Sequence, residues 1–410
     1  MLLRLLKAEY LPALDALRDD ESFAGFVSIL GEMLVGGEHA IWTAPVILDQ
    51  FSQWPHISRM QADALKEMAR VVSLRELPFD AATDALILTG PAVAEQDPPP
   101  PTRWHRRPWT WLLARGRLPR TCLGGENVAD ANWFTWLGRV FSARQRPGAL
   151  GVGAEVSLRP RGFGGSTAEP ELREEVLSGT PLLCILDSDR DHPAASPGDT
   201  ASRALKAEKK LREEGAAPLL HIELLAARDV ENLLPHRVVQ EIGNTRNPWN
   251  APMLRRGFFA DDIPRPELRY IDIGKDQCER RLLDTADPTT LKYRKQALAA
   301  LRTIDPTCPG GAESKHPACP GTCGAATGPS KWADMQNDCL HVRSVGKQLL
   351  PAVVAHVQAQ DAPGKEGSIR WLDARVPNDP ALLGPAALAW SWGLGLPRRV
   401  RATPTPLNAP

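Results

Sequence analysis

Three acidic residues occupy alternate positions directly after an apolar run in the stretch PLLCILDSDRDHP, residues 181–193. They are Asp187, Asp189 and Asp191. Carboxylates this close repel one another and raise one another's pKa values, so the group costs stability unless a cation or solvent compensates its charge. Clustered oxygen ligands suit Mg²⁺ or Mn²⁺, which bind through a few carboxylates and keep water for phosphate oxygens. The stretch therefore predicts a divalent-cation site.

Two further segments carry acids in comparable positions. The segment GGENVAD (124–130) places Glu126 just beyond a predicted strand, with Asp130 four residues later on the same side of the opening helical turn. The segment ARDVENLLP (227–235) offers Asp229 and Glu231 just before or within the next helix. For this last pair, stabilisation of a helix N-terminus by negative charge is an alternative interpretation.

The elements that must position these acids follow from the alternation of short apolar runs with helical patterns after residue 118. We predict strands near 119–124, 153–158, 181–187 and 218–224, separated by helices near 128–142, 169–178 and 200–215. Such alternation predicts an α/β fold, a parallel sheet with helices on both faces. Ligands of such sheets bind outside the carboxyl ends of the strands, where these acids lie. If the chain stays extended after residue 186, Asp187 and Asp189 share a face.

The rest of the chain divides into further regions by composition. Residues 1–95 have helical spacing, beginning with MLLRLLKAEYLPALDALRDDE, which we interpret as an amphipathic helix. A proline-rich and basic linker follows at 96–117, and the α/β domain is expected at 118–245. Residues 246–410 are expected to be mainly helical, with an insertion rich in Cys, Gly and Pro at 305–330.

Overall composition restricts the function classes. The 410 residues include 49 basic and 49 acidic side chains, so no global positive field indicates a nucleic-acid partner, and any such partner must be held by local patches. No apolar run is long enough for a transmembrane helix, which predicts a cytoplasmic protein without a membrane partner. An odd number of cysteines, seven, favours reduced thiols over a disulfide framework.

The acid pattern resembles a known family. A glutamate after the first strand with an acid four residues on, an Asp-x-Asp after the third strand and a following R-D-x-E-N segment resemble the TOPRIM fold, a Rossmann-like parallel sheet flanked by helices. The segment RDVENLLP resembles the R-x-x-E-N segment of OLD-type and related phage-defence TOPRIM nucleases more than that of topoisomerases. The resemblance covers roughly residues 118–240. In this chain Asn127 follows Glu126, where the family pattern often has glycine.

The resemblance implies a metal-dependent nuclease that cleaves DNA or RNA. Glu126, Asp187 and Asp189 would be the catalytic residues. The implied metal ligands, for Mg²⁺ or Mn²⁺ at one or two positions, are Glu126, Asp130, Asp187, Asp189 and Glu231. A basic residue is expected near the scissile phosphate, and the candidates are Lys206, Lys209 and Arg228.

The resemblance also implies a role as an effector of bacterial anti-phage defence. OLD-type nucleases carry or partner with an ATPase, but the sequence contains no G-x-x-x-x-G-K-[ST] segment. We therefore expect a separate ATPase or sensor protein as a partner, besides the nucleic-acid substrate. A second copy of the chain, in a homo-oligomer, is a further candidate partner.

The same acids permit other interpretations. An Asp-x-Asp after an apolar strand also occurs in haloacid-dehalogenase-like phosphatases, where the first aspartate is a nucleophile, and in glycosyltransferases. The chain could also be a catalytically silent TOPRIM-like interaction module, and the acids could form a solvated loop of an ordinary α/β domain.

Two other segments have open interpretations. Cys308, Cys319, Cys323 and Cys339 could hold Zn²⁺, or could be free thiols in a flexible loop, because no C-x-x-C pair occurs among them. The segment TRWHRRPWTWLLARGRLPR (102–120) could contact phosphates with Arg and stack bases on Trp, or could be a connector whose tryptophans are buried.

Overall fold

The computed structural model describes residues 1–74, 82–90, 103–145, 156–215, 219–246, 266–273, 277–304, 341–342, 349–360 and 366–395. The chain forms two compact units. The first unit consists of Met1–Leu186, Arg203–Glu223 and Leu383–Pro410, and the second of Asp187–Ser202 and Leu224–Leu382. These bounds differ from the predicted domains, because residues 118–245 are divided between the two units.

The first unit contains a parallel sheet that the sequence analysis did not predict. Its strands are β1 (Leu2–Leu5), β2 (Ala40–Trp42), β3 (Asp84–Thr89) and β4 (Arg103–Pro108), in the order β2-β1-β3-β4. Most of the described residues in 1–95 are helical, as expected, but the interpretation of the opening segment as an amphipathic helix is wrong at Leu2–Leu5. The opening LLRL is a strand because its leucines enter the core of the sheet, with Leu2, Leu3 and Leu5 at most 2% exposed.

The helices of this part of the unit are α1 (Lys7–Tyr10), α2 (Glu21–Gly36), α3 (Pro45–Phe51), α4 (Arg59–Ser73) and α5 (Trp109–Arg115). Helix α2 begins after Asp20, whose side chain accepts a hydrogen bond from Phe23 N, and helix α4 begins with a capping box of Ser58 and Gln61. These caps satisfy amide groups that a helix leaves free at its start.

Part of the predicted linker at 96–117 is regular structure. Residues 103–108 pair with β3 as strand β4, and residues 109–115 form α5. Trp109 is 6% exposed, and its ring lies 5.2 Å from that of Phe23 and 5.6 Å from that of Phe26. Trp109 is therefore buried in a core, since edge and tilted aromatic contacts of this kind belong to one, but the segment that carries it is a strand and a helix of the first unit and not a connector.

A second four-stranded sheet lies in the α/β region that the sequence predicted. Its strands are β5 (Cys122–Gly125), β6 (Arg159–Gly162), β7 (Leu182–Leu186) and β8 (Leu220–Leu224), in the order β6-β5-β7-β8. Strand β5 is parallel to both β6 and β7. The intervening helices are α6 (Val128–Gln145), α7 (Ala168–Leu177) and α8 (Asp199–Glu213). The predicted strands near 119–124, 181–187 and 218–224 and the three predicted helices are confirmed.

Of the strand predicted near 153–158, the described residues 156–158 do not form a strand of this sheet. The strand that pairs with β5 is the following segment RPRG, and Val156 instead makes an isolated antiparallel bridge with Leu394. An edge strand tolerates proline. Because β6 has a polar sequence, it contains no apolar run that would predict a strand. Arg159 and Arg161 of this strand both donate hydrogen bonds to Glu175, which α7 contributes and which is 6% exposed.

The described part of the C-terminal region is mainly helical, as expected. Helix α9 (His236–Arg246) precedes this region, whose helices are α10 (Glu279–Leu283), α11 (Pro288–Ile304), α12 (Leu349–Ala359), α13 (Glu366–Asp373) and α14 (Pro380–Gly393). Two short strands, β9 (Gln277–Cys278) and β10 (His341–Val342), pair antiparallel. The cysteines of the predicted zinc site and the insertion at 305–330 lie outside the described residues. Over the ranges given above, no helix combines the length and the apolar character needed to cross a membrane.

Candidate functional site

In the first unit, Glu126 is the residue that directly follows strand β5. Its backbone lies close to the turn after β6, where a Cβ added at Gly164 would stand 2.6 Å from the Glu126 carbonyl oxygen. A side chain at position 164 would therefore displace the backbone of Glu126. The loop places this half-buried glutamate at the carboxyl end of the sheet.

Asp130 lies in the first turn of α6 and is 2% exposed. Its Oδ2 accepts a hydrogen bond of 2.8 Å from Asn127 N, and Asn127 Oδ1 accepts hydrogen bonds from Ala129 N (2.8 Å) and Asp130 N (3.2 Å). This reciprocal arrangement is a capping box that fixes the start of α6. Asn127, the departure from the family pattern, is the capping residue, and Asp130 holds the loop that carries Glu126.

In the second unit, the acidic stretch after β7 is hydrogen-bonded to the segment RDVEN. Oδ1 of Asp187 accepts a bond of 2.8 Å from Val230 N, and the carbonyl oxygen of Arg228 accepts bonds of 3.0 Å from both Ser188 N and Asp189 N. Ser188 is fully buried, and its hydroxyl donates to Ala227 O at 2.5 Å. Two of the three acid-bearing segments that the sequence singled out are therefore brought together here.

The chain does not stay extended after Asp187. Asp189 has a φ of 50°, in the left-handed region that costs energy for a residue other than glycine. Its backbone is kept there by the bond to Arg228 O and by Gly198, whose amide donates to Ser188 O at 2.9 Å. A Cβ at Gly198 would stand 2.4 Å from Asp189 Cβ. The condition under which Asp187 and Asp189 would share a face, an extended chain, is therefore not met.

The residue Asn232 joins this segment to a third part of the second unit. Its buried amide donates to Leu268 O (3.2 Å) and Ile271 O (2.9 Å). These bonds hold the short 3₁₀ turn Val230–Leu233 against residues 266–273, which carry Asp272. The asparagine of R-D-x-E-N thus has a structural role, since a buried amide requires such partners.

Asp229 has an unusual electrostatic environment. Burial raises its pKa to about 7 from the ordinary 3.8, Arg228 opposes the increase, and the carboxylates of Asp272, Glu231 and Asp189 add to it. Four acids from three segments therefore interact within the second unit. At neutral pH the ionised form of Asp229 is destabilised in this group.

Asp191 and the predicted basic residues have distinct partners. Asp191 Oδ1 accepts hydrogen bonds from Arg228 (2.8 Å) and Arg294 (3.0 Å). Lys206, by contrast, lies 3.9 Å from Glu169 in the first unit, and Lys209 is exposed on α8. Among the three predicted basic candidates, Arg228 is the one that lies beside the acidic stretch.

The predicted metal ligands thus fall into two sets. Glu126 and Asp130 belong to the first unit, whereas Asp187, Asp189 and Glu231 belong to the second. Within the described ranges, no group of three or more His, Cys, Asp or Glu side chains is arranged to hold a metal ion.

Comparison of the chain with protein-family models, curated protein sequences and solved structures gives no match.

Three residues of this region were not predicted as site residues. Asp229 lies in the segment ARDVENLLP, and its neighbours in RDVEN were the available signal. Asp272 and Arg294 are remote in sequence, and no local pattern distinguishes them, because only the folded chain brings them to the acids.

Proposed function

We propose that this protein is a metal-dependent nuclease of the TOPRIM type that hydrolyses phosphodiester bonds of DNA or RNA. The observation that carries the proposal is the strand order β6-β5-β7-β8. In a parallel sheet of this order, ligands bind outside the carboxyl ends at the switch point between the first and third strands, here β5 and β7. Glu126 directly follows β5 and Asp187 directly follows β7.

The donor chemistry fits Mg²⁺ or Mn²⁺. The residues that would hold one or two such ions are Glu126, Asp130, Asp187, Asp189 and Glu231, all of which offer carboxylate oxygens. Mg²⁺ is commonly bound by only one or two protein carboxylates together with water and substrate phosphates, so a group of three protein ligands is not required. When bound, the ion supplies an activated water and stabilises charge that develops on the phosphate.

The chain's own contribution is the positioning of charge. The bond from Val230 N restrains the Asp187 carboxylate, the close approach of Gly198 restrains Asp189, and that of Gly164 restrains the backbone of Glu126. Such restraint lowers the cost of organising charged groups during reaction. Asp130 acts through the capping box as a positioning residue for Glu126.

The direct test is incubation of the purified chain with single-stranded DNA, duplex DNA and transfer RNA in Mg²⁺, Mn²⁺ or EDTA. We expect cleavage of at least one substrate with a divalent ion and none in EDTA. Wild-type protein that cleaves none of them in either metal would contradict the proposal and favour a catalytically silent interaction module. Release of phosphate from a phosphomonoester alone would favour the phosphatase alternative.

We further propose that the nuclease acts in the cytoplasm of bacteria as a defence effector, controlled by a separate ATPase or sensor protein. The support is the resemblance of RDVENLLP to phage-defence nucleases, which is an analogy. Cells that express the chain with its neighbouring genes should resist phage, and cells with the Asp187→Asn variant should not. Equal resistance in both strains would contradict this role.

The approach of Gly198 to Asp189 leads to a first prediction. An alanine at position 198 would place Cβ 2.4 Å from Asp189 Cβ and 2.8 Å from its Oδ2, so the carboxylate must move. A displacement of about 1 Å in a positioned group can cost about a hundredfold in rate. We expect Gly198→Ala to reduce the cleavage rate at least about tenfold.

The matched control is Gly384→Ala, because a Cβ at Gly384 meets no atom within 4 Å. Single-turnover cleavage of both variants, with circular dichroism to verify folding, measures the difference. Equal rates in the two variants would show that the position of Asp189 does not matter for cleavage.

A further inference from the structure

Two arginines converge on one carboxylate in the second unit. Arg228 donates to Asp191 Oδ1 at 2.8 Å and Arg294 of α11 donates to the same oxygen at 3.0 Å. The arginine side chains are 16% and 18% exposed, whereas that of Asp191 is 49% exposed. The two arginine side chains are thus largely buried, and the carboxylate that they share is the more exposed member of the cluster.

The arginines are held from several directions. The Arg228 guanidinium also lies 3.7 Å from Asp272 and 3.9 Å from Asp229, and its backbone N–H donates to Arg269 O at 2.7 Å. Arg294 donates a second bond of 3.0 Å to Leu282 O. Both guanidinium groups therefore have anchors other than Asp191, so exchange of that one partner leaves them in place.

We propose that Arg228 and Arg294 bind a phosphodiester group of the nucleic-acid substrate, and that Asp191 occupies this anion site when substrate is absent. The choice of a phosphodiester rests on the proposed function. Paired guanidinium groups suit this ligand because they offer several N–H donors in a planar arrangement that matches phosphate oxygens. Asp191 belongs to the same stretch as Asp187 and Asp189, so the anion site lies next to the proposed metal ligands in sequence.

The exposure of Asp191 favours exchange over a permanent ion pair. A half-exposed carboxylate is well hydrated and gains little from an ion pair. A phosphate that binds both arginines at once forms charge-assisted hydrogen bonds, and one released aspartate returns to water at small cost. Asp191 would thereby keep two largely buried cations compensated in the free protein.

The test measures binding of a short fluorescein-labelled single-stranded DNA without a terminal phosphate, and of its RNA counterpart, by anisotropy in EDTA. Without metal no cleavage occurs, and the probe offers only internal phosphodiester groups. We expect Asp191→Asn to tighten binding about fivefold, because it removes the competing charge and leaves both arginines. Arg294→Gln should weaken binding about tenfold and reduce the salt dependence by about 0.7 in the slope of log K against log salt.

Matched controls come from exposed residues of the same unit. Asp284→Asn removes an exposed acid, and Lys295→Gln removes an exposed charge one residue from Arg294 on α11, so each should change affinity less than about twofold. Tighter binding by Asp191→Asn is the decisive result, because a purely structural ion pair would not produce it even if Arg294→Gln misfolds.

The inference is overturned if Asp191→Asn binds no more tightly than Asp284→Asn, or if wild-type protein does not bind the probe in EDTA. These outcomes differ from failure of the proposed function. The expected binding changes without any cleavage would support the anion site and contradict the proposed nuclease function. Cleavage without these binding changes would contradict only the proposed anion site.

Discussion

Replacement of Asp187 by asparagine should reduce metal-dependent cleavage at least about a hundredfold while leaving the fold intact. The asparagine side-chain oxygen can still accept the bond from Val230 N, so the link between the two acidic segments remains. What it loses is the negative charge that a hard cation requires. Cleavage rates in Mn²⁺, with thermal unfolding measured in parallel, provide the comparison.

The control for this prediction is Asp284→Asn, an exposed acid of the same unit, which should cleave at the wild-type rate. Retained cleavage in Asp187→Asn would show that Asp187 takes no part in the reaction and would contradict the assignment of the site. If Asp187→Asn loses cleavage because it unfolds, the test passes to Glu126→Gln, which changes a carboxylate in the other unit and should also lose cleavage while it stays folded.

Replacement of Asp229 by asparagine should stabilise the metal-free protein at pH 8. Burial raises the pKa of Asp229 from 3.8 to about 7, so between these values the folded chain holds a proton that the unfolded chain releases. Stability therefore falls as pH rises from about 4, and the full penalty applies above about pH 7. A shift of this size corresponds to at most about 4 kcal/mol in the free energy of unfolding.

Asparagine removes that penalty because it carries no charge, and it remains a good residue at the start of the 3₁₀ turn. Urea denaturation in EDTA at pH 4, 6 and 8 should give a gain for Asp229→Asn that grows with pH and is near zero at pH 4. A gain that is the same at pH 4 and pH 8, or a loss at pH 8, would mean that the carboxylate is not destabilised by its neighbours.

The second sheet was largely predictable because its elements have distinct local patterns. The run LLCIL is apolar throughout, as expected for a strand buried on both faces, and it forms β7. Strand β6 was missed because its position at the edge allows the sequence RPRG, which has no apolar pattern. Its place in the sheet depends on pairing with β5 and on the bonds to Glu175, which local sequence does not reveal.

The N-terminal sheet was missed for a different reason. In LLRLLK the leucines satisfy both a helical spacing and a short buried strand, and periodicity alone does not separate the two. The partner strands β2 and β3 begin at Ala40 and Asp84, far along the chain. The strand conformation of Leu2–Leu5 is therefore decided by long-range pairing and not by local preference.

The candidate site was predictable only in part. The positions of Glu126 and Asp187 after strands follow from the strand pattern, because acids after apolar runs are visible in the sequence. The turn at Asp189, the cap made by Asn127 and Asp130, and the pairing of Asp191 with Arg294 all depend on contacts that form on folding. Asp130, which the sequence predicts as a metal ligand, accepts the hydrogen bond from Asn127 N that fixes the start of α6.

The most direct test of the central claim is a crystal structure of the whole chain soaked with Mn²⁺, located by its anomalous scattering. The proposal predicts an ion bound to carboxylate oxygens of Asp187 and Glu126, with Asp189 or Glu231 as a further ligand and water completing the coordination. An ion that contacts none of these residues, or an Asp187 carboxylate that stays without metal at saturating Mn²⁺, would contradict it.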